Sequence, residues 1–93
     1  MFKVNEYFDG KVKSISFTEV EGAATVGVLA KGEYEFNTGK SEIMTIVSGK
    51  TSVLLPGETN WCAVKAGEKF VVPANSKFGI KALEESAYLC QFR

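Results

Sequence analysis

Gly67-Glu-Lys-Phe-Val-Val-Pro73-Ala-Asn75-Ser-Lys-Phe78 is the stretch on which the fold turns. A glycine opens a short alternating run, five residues follow, and a proline closes it, so a strand is bracketed by two turn residues. Its counterpart lies upstream in Gly32-Glu-Tyr-Glu-Phe-Asn-Thr38-Gly-Lys40-Ser-Glu42, with six residues more before Gly49. There Tyr34, Phe36 and Thr38 point one way and Glu33, Glu35 and Asn37 the other, the period of a half-buried strand. Outward from these stretches the same pattern predicts strands over Lys11–Phe17, Thr25–Ala30, Ile43–Ser48 and Thr51–Leu55, the last closed by Pro56-Gly57. Trp61–Val64, Lys69–Val72, Lys77–Leu83 and Ala87–Phe92 complete about nine strands, while Glu19–Ala24, acidic and then glycine-containing, reads as a loop. No stretch keeps apolar residues at helical spacing over three turns. The expectation is an all-β chain with little or no helix, at a strand spacing suited to a small barrel or sandwich.

Ninety-three residues bound the answer to one domain, residues 1–93. A domain this small has a thin stability margin alone, and burying apolar area against a second copy is a common remedy, so a homodimer is expected. Lys plus Arg and Asp plus Glu are equal at 11 each, which argues against a nucleic-acid partner, since such affinity needs massed positive charge. One small phosphate is still within reach of a single lysine and a few N–H donors. Cys62 and Cys90 are too few for a disulfide scaffold and read as small reduced core residues. With no histidine in the chain, Cys–His and Ser-His-Asp chemistry and histidine metal sites are excluded. No charged-then-apolar leader and no 18-residue apolar run is present, so a cytoplasmic protein without a membrane partner is expected.

The two opening stretches resemble the halves of a cupin metal site in spacing, but not in ligands. Thr38 and Lys40 stand where two histidine ligands would be, Phe78 stands where another would be, and Glu42 alone keeps the carboxylate position. The resemblance implies a single-domain cupin-type β-barrel, a small jelly roll, without the usual metal. Alternation then gives a lining: Tyr34 and Phe36 inward before Thr38 and Lys40, Glu42 and Met44 on the next strand, and Phe78, Ile80 and Ala82 opposite. One carboxylate, one amine, a hydroxyl and two or three aromatics suit a small, partly polar ligand with a flat ring. Each residue also has a purely structural role open to it. Glu42 can cap the loop or pair with Lys40, Lys40 can be solvated, Tyr34 and Phe36 can be core, and Phe78 can fill the space of the missing metal. Lys13 shares a face with Ile15 and Phe17, so its ammonium needs a carboxylate or an anion. Phe2, Val4, Tyr7 and Phe8 crowd the N-terminus and must be covered, by a partner subunit or by the chain's own barrel.

The wording is more particular than the spacing. Asn5-Glu-Tyr-Phe8, Gly10-Lys-Val-Lys-Ser-Ile15, Gly32-Glu-Tyr34, Glu42-Ile-Met-Thr-Ile-Val-Ser-Gly49, Val53-Leu-Leu-Pro56 and Tyr88-Leu-Cys90 together resemble the bacterial pyrimidine/purine nucleoside phosphorylases of the small cupin type. That resemblance implies a pentosyltransferase acting on purine and pyrimidine nucleosides with phosphate as co-substrate, giving free base and ribose 1-phosphate. It also implies a cytoplasmic homodimer needing no metal or other cofactor. From the chain's own pattern, Glu42 is the candidate to steady a developing positive sugar. Lys13, Thr38 and Lys40 are candidates for phosphate, and Tyr34, Phe78 and Tyr88 for stacking on the base. The leaving base could take its proton from a glutamic acid, a tyrosine or water. Two rivals use the same barrel: a non-catalytic module that binds a nucleoside or sugar, and a metal-independent isomerase or epimerase, which would commonly need a histidine base.

Overall fold

A computed structural model of the chain describes residues 1–93, and all of its regular structure is β. Ten strands follow in order: β1 (Val4–Tyr7), β2 (Val12–Glu19), β3 (Gly22–Leu29), β4 (Gly32–Asn37), β5 (Glu42–Ser48), β6 (Lys50–Leu54), β7 (Cys62–Lys65), β8 (Lys69–Val72), β9 (Lys77–Ala82) and β10 (Ser86–Phe92). They form two sheets, ordered β1-β2-β3-β10-β5-β8 and β4-β9-β6-β7. Neighbours pair antiparallel throughout. The expected barrel is therefore a jelly roll of two facing sheets rather than a continuously closed cylinder.

Nine of the strands lie where alternation puts them; the tenth, β1, escapes it. Only four residues long, it pairs Asn5 with Ser14 and Tyr7 with Val12. The turn that follows takes Phe8, Asp9 and Gly10 through φ of 54°, 57° and 83°. Two of these lack glycine's freedom, and left-handed backbone costs an ordinary residue about 1–2 kcal/mol. The return is aromatic packing: the Phe8 ring lies 5.1 Å from Tyr34 and 5.5 Å from Phe36. Thus the N-terminal aromatics Tyr7 and Phe8 pack one side on their own chain and stay partly open to solvent, while Phe2 and Val4 are more exposed still. The expected loop at Glu19–Ala24 is instead the tip of a hairpin, with Glu19 paired to Gly22 across a two-residue turn.

Thirteen buried residues drawn from both sheets make one core, with Val12, Leu29, Ile46, Val53, Val72 and Ile80 at 2% exposure or less. Each such side chain contributes roughly 1.5–3 kcal/mol by leaving water. Period two sorts the rest. On β2, Val12 and Ser14 turn inward while Lys13 and Ile15 face out. Across the outside of the six-stranded sheet, Val4, Ile15 and Val26 fall in one row of the register, and Val28, Val47 and Val71 are exposed on the same sheet. Cys62 is exposed on β7, so only Cys90 is the buried cysteine that both were expected to be.

Candidate functional site

Between the sheets lies a cavity of about 260 Å³. One wall is aromatic and apolar: Phe36 of β4 with Phe78 and Ile80 of β9, joined by Tyr7 from the end of β1. Phe36 is the hub, its ring 5.8 Å from Phe78 in a stacked arrangement and 5.9 Å from Tyr7 edge-on. The other wall is polar. Ser14 of β2, Thr25 of β3, Glu42 of β5, and Tyr88 and Cys90 of β10 face it from the six-stranded sheet. Neighbouring strands bring them together because each occupies an inward position of its own strand: Thr25 pairs with Cys90, and Cys90 with Met44.

Glu42 is the one carboxylate on the cavity wall, and no Lys or Arg lines it. Burial raises the Glu42 pKa above the ordinary carboxylate range; the Cys90 thiol, donating to Glu42 Oε1 at 3.3 Å, works in the opposite direction. Cys90 itself is pushed upward, first by burial and then by the Glu42 charge, so its thiol stays protonated and donates. Tyr88 is pushed up to about 12 by burial, opposed by a hydrogen bond with the Ser14 hydroxyl. The walls thus offer an acceptor at Glu42, whose other side is held by Cys90, a donor at Tyr88, and an apolar aromatic surface opposite.

Of the residues expected at the site, Glu42, Phe78 and Tyr88 line this cavity. Tyr34 points inward but is spent on structure: it is buried, and its hydroxyl donates to Ala30 O at 2.7 Å. Thr38 is also buried and used locally. Its hydroxyl donates to Pro73 O at 2.7 Å and accepts from Ser76 N–H at 2.9 Å, clasping the end of β4 to the β8–β9 loop. Lys13 lies on the far side of the sheet, its ammonium 3.3 Å from Glu6, beside a more open outer depression of about 440 Å³ that also includes Lys11 and Glu85. Lys40 is exposed on the β4–β5 loop, next to the cavity-lining Gly39. Tyr7, Ser14, Thr25, Cys90 and Phe92 were not singled out from the sequence as site residues, yet all line the cavity.

The two facing sheets make a cupin-like jelly roll, and the cavity between them holds a single carboxylate. Among solved structures, an RmlC-like cupin from Shewanella frigidimarina superposes with a TM-score of 0.74 at 20% identity, covering 98% of this chain and 82% of that one. A Vibrio parahaemolyticus protein of unknown function superposes with a TM-score of 0.92 at 41% identity, covering 97% and 96%. The chain belongs to the pyrimidine/purine nucleoside phosphorylase family, whose pattern matches residues 2–92. A protein of Pseudomonas syringae pv. syringae named as such a phosphorylase is 59% identical over the full length of both chains. One of Pseudomonas putida with the same name is 61% identical over all of this chain and 99% of its own.

Proposed function

We propose that this protein is a broad-specificity nucleoside phosphorylase, a pentosyltransferase that cleaves purine and pyrimidine ribonucleosides with inorganic phosphate. A phosphate oxygen forms the new bond to C1′ of the ribose while the C1′–N bond breaks. The electron pair leaves with the base, which takes up a proton, and ribose 1-phosphate remains. The observation that carries this reading is Glu42, a lone carboxylate facing an aromatic wall across a cavity of about 260 Å³ in a chain of this family. Positive charge developing on the sugar is stabilised by a carboxylate held in a partly desolvated site, where its field is weakly screened. Phe78 and Phe36 offer a stacking surface, and stacking tolerates many bases because each has a π-face.

Lys40 is our candidate for the phosphate cation, together with backbone N–H groups of its Gly39–Ser41 loop, because the loop borders the cavity and the wall itself has no cation. We further propose that the reaction needs no cofactor and no metal; for the metal, the side chains offer no cluster of three His, Cys, Asp or Glu to hold one. The working form would be a cytoplasmic homodimer. No helix of the protein is long and apolar enough to cross a membrane.

The binding-module alternative draws support from one feature, the cavity wall without Lys or Arg. Free base released from uridine, adenosine and guanosine, measured with and without phosphate after exhaustive chelation, separates the readings. Phosphate-dependent release from more than one nucleoside is expected. No release from folded protein would sink the phosphorylase, and release restored only by added metal would sink the metal-free mechanism.

A further inference from the structure

Asn5, Ser14, Gly27 and Tyr88 occupy one row of the six-stranded sheet, paired in succession across β1, β2, β3 and β10. Gly27 is the gap in that row. A Cβ built on it would meet the Tyr88 hydroxyl at 2.7 Å, so the phenol end occupies the space over β3 only because position 27 has no side chain. Along the row the hydrogen bonds have one direction. Asn5 Nδ2 donates to Ser14 Oγ at 3.2 Å and to Ser16 Oγ at 3.0 Å, using both of its amide protons. Ser14 is 3% exposed; with an acceptor position filled by Asn5, its own proton is free for the Tyr88 hydroxyl, which lies over Gly27, Ser14's neighbour in the row. A Tyr88 oxygen that takes this proton has a single proton left to donate, into the cavity that both residues line.

On the proposed phosphorylase reading, we infer that Tyr88 is a fixed donor to a ribose hydroxyl of the nucleoside, and that Asn5 and Ser14 are the positioning residues that orient it. A sugar hydroxyl both donates and accepts, so it matches a wall that presents an acceptor-only carboxylate, Glu42, alongside a donor-only phenol. Bases differ in their edges, whereas every ribonucleoside carries the same sugar hydroxyls. A sugar-directed donor therefore anchors the shared half of the substrate and leaves the base to the aromatic wall. The Cys90 thiol, bonded to Glu42, holds the acceptor in the same way that Ser14 holds the donor.

Phosphorolysis of uridine, 2′-deoxyuridine and 3′-deoxyuridine by the wild type and by Tyr88→Phe, Ser14→Ala and Ser14→Thr tests this. In the wild type at least one deoxy substrate should lose about tenfold in kcat/KM, the scale of one desolvated hydrogen bond. In Tyr88→Phe and Ser14→Ala that penalty should shrink toward unity, and Ser14→Thr, which keeps the hydroxyl, should restore it. The ratio between two substrates on one enzyme cancels any loss of folded protein. An unchanged penalty in Tyr88→Phe, or no penalty in the wild type for either deoxy substrate, would overturn the inference. If the wild type releases no base at all, the phosphorylase reading fails separately. The same ratios are then read as calorimetric affinities for the three nucleosides, and equal affinities in wild type and Tyr88→Phe overturn the donor.

Discussion

Glu42 is half-buried and accepts a hydrogen bond from Cys90 Sγ at 3.3 Å, while burial holds its pKa above the ordinary carboxylate range. Its contribution to stability therefore has a definite sign. The folded protein keeps the Glu42 proton to higher pH than the unfolded chain does, so this contribution is fully present below the ordinary carboxylate range and is lost as pH rises through the raised value. Glu42→Gln removes the ionisation. The variant should melt at or above the wild-type temperature near pH 7, and its advantage should narrow as pH falls toward 4; an advantage that grows toward low pH would contradict the burial of Glu42. Activity should move the other way. Phosphorolysis by Glu42→Gln is expected to fall at least about tenfold in kcat, since an amide cannot stabilise a positive sugar as a carboxylate does. A more stable but slower variant would mark a group kept for chemistry at some cost to the fold, and near-wild-type turnover would take Glu42 out of the mechanism.

At the level of the strand, the clasp at the end of β4 carries the next expectation. Thr38 Oγ1 satisfies both Pro73 O and Ser76 N–H, and a buried polar group stripped of its partner costs about 1–3 kcal/mol. Thr38→Val should thus lower the melting temperature by several degrees, about 4–8 °C for each kcal/mol in a chain of this size. Turnover per folded molecule should persist, because the Thr38 hydroxyl points to the β8–β9 loop; a loss of turnover with an unchanged melting temperature would give Thr38 a role in the site after all. Thr38 also marks where the sequence stops being legible. Alternation places it inward correctly, but its partners lie 35 and 38 residues away, and nothing local announces them. The same alternation finds Phe36, Phe78 and Ile80, because each lies on a strand whose other face is mostly charged or small, while Glu42 and Met44 on β5, apolar on both faces, are found by continuing the inward parity of Thr38 and Lys40. On β2 hydropathy misleads. Its outer face carries Ile15 and Phe17 beside Lys13, and its inner face carries Ser14 and Ser16, so the face lining the cavity is the less apolar of the two. β1 goes unseen since four residues between turns hold too little pattern, and Tyr7 and Asn5 are hidden with it.

The apolar outer face of β2 is part of a larger anomaly in the whole molecule. The register sets Val4, Ile15, Val26 and Leu89 in one continuous row across four strands, and Val28, Val47 and Val71 are more than half exposed on the same sheet. Soluble monomers rarely leave contiguous apolar patches of more than a few hundred Å² uncovered. The occupant we propose is a second copy of this chain. A two-fold interface is self-complementary, and an apolar sheet face meets its own image; of the lysines on this face, Lys13 is already paired with Glu6 and Lys69 lies at the far end of the row, beyond Thr45. A stable dimer needs roughly 800 Å² from each partner, a modest share of this chain's 5773 Å² surface. A formal net charge of zero adds no long-range repulsion. Sedimentation at micromolar concentration should give twice the chain mass for the wild type. Val26→Glu, at the centre of the row, should give the single-chain mass, since two buried carboxylates would face each other without counter-ions. Val20→Glu, at the fully exposed β2–β3 turn, is the matched control for added charge and should remain a dimer. A monomeric wild type would remove the second copy from this face, and a Val26→Glu dimer would place the interface elsewhere on the molecule. Because the cavity opens between the sheets and the valines lie behind it, a dimer through this face would leave both cavities open to substrate.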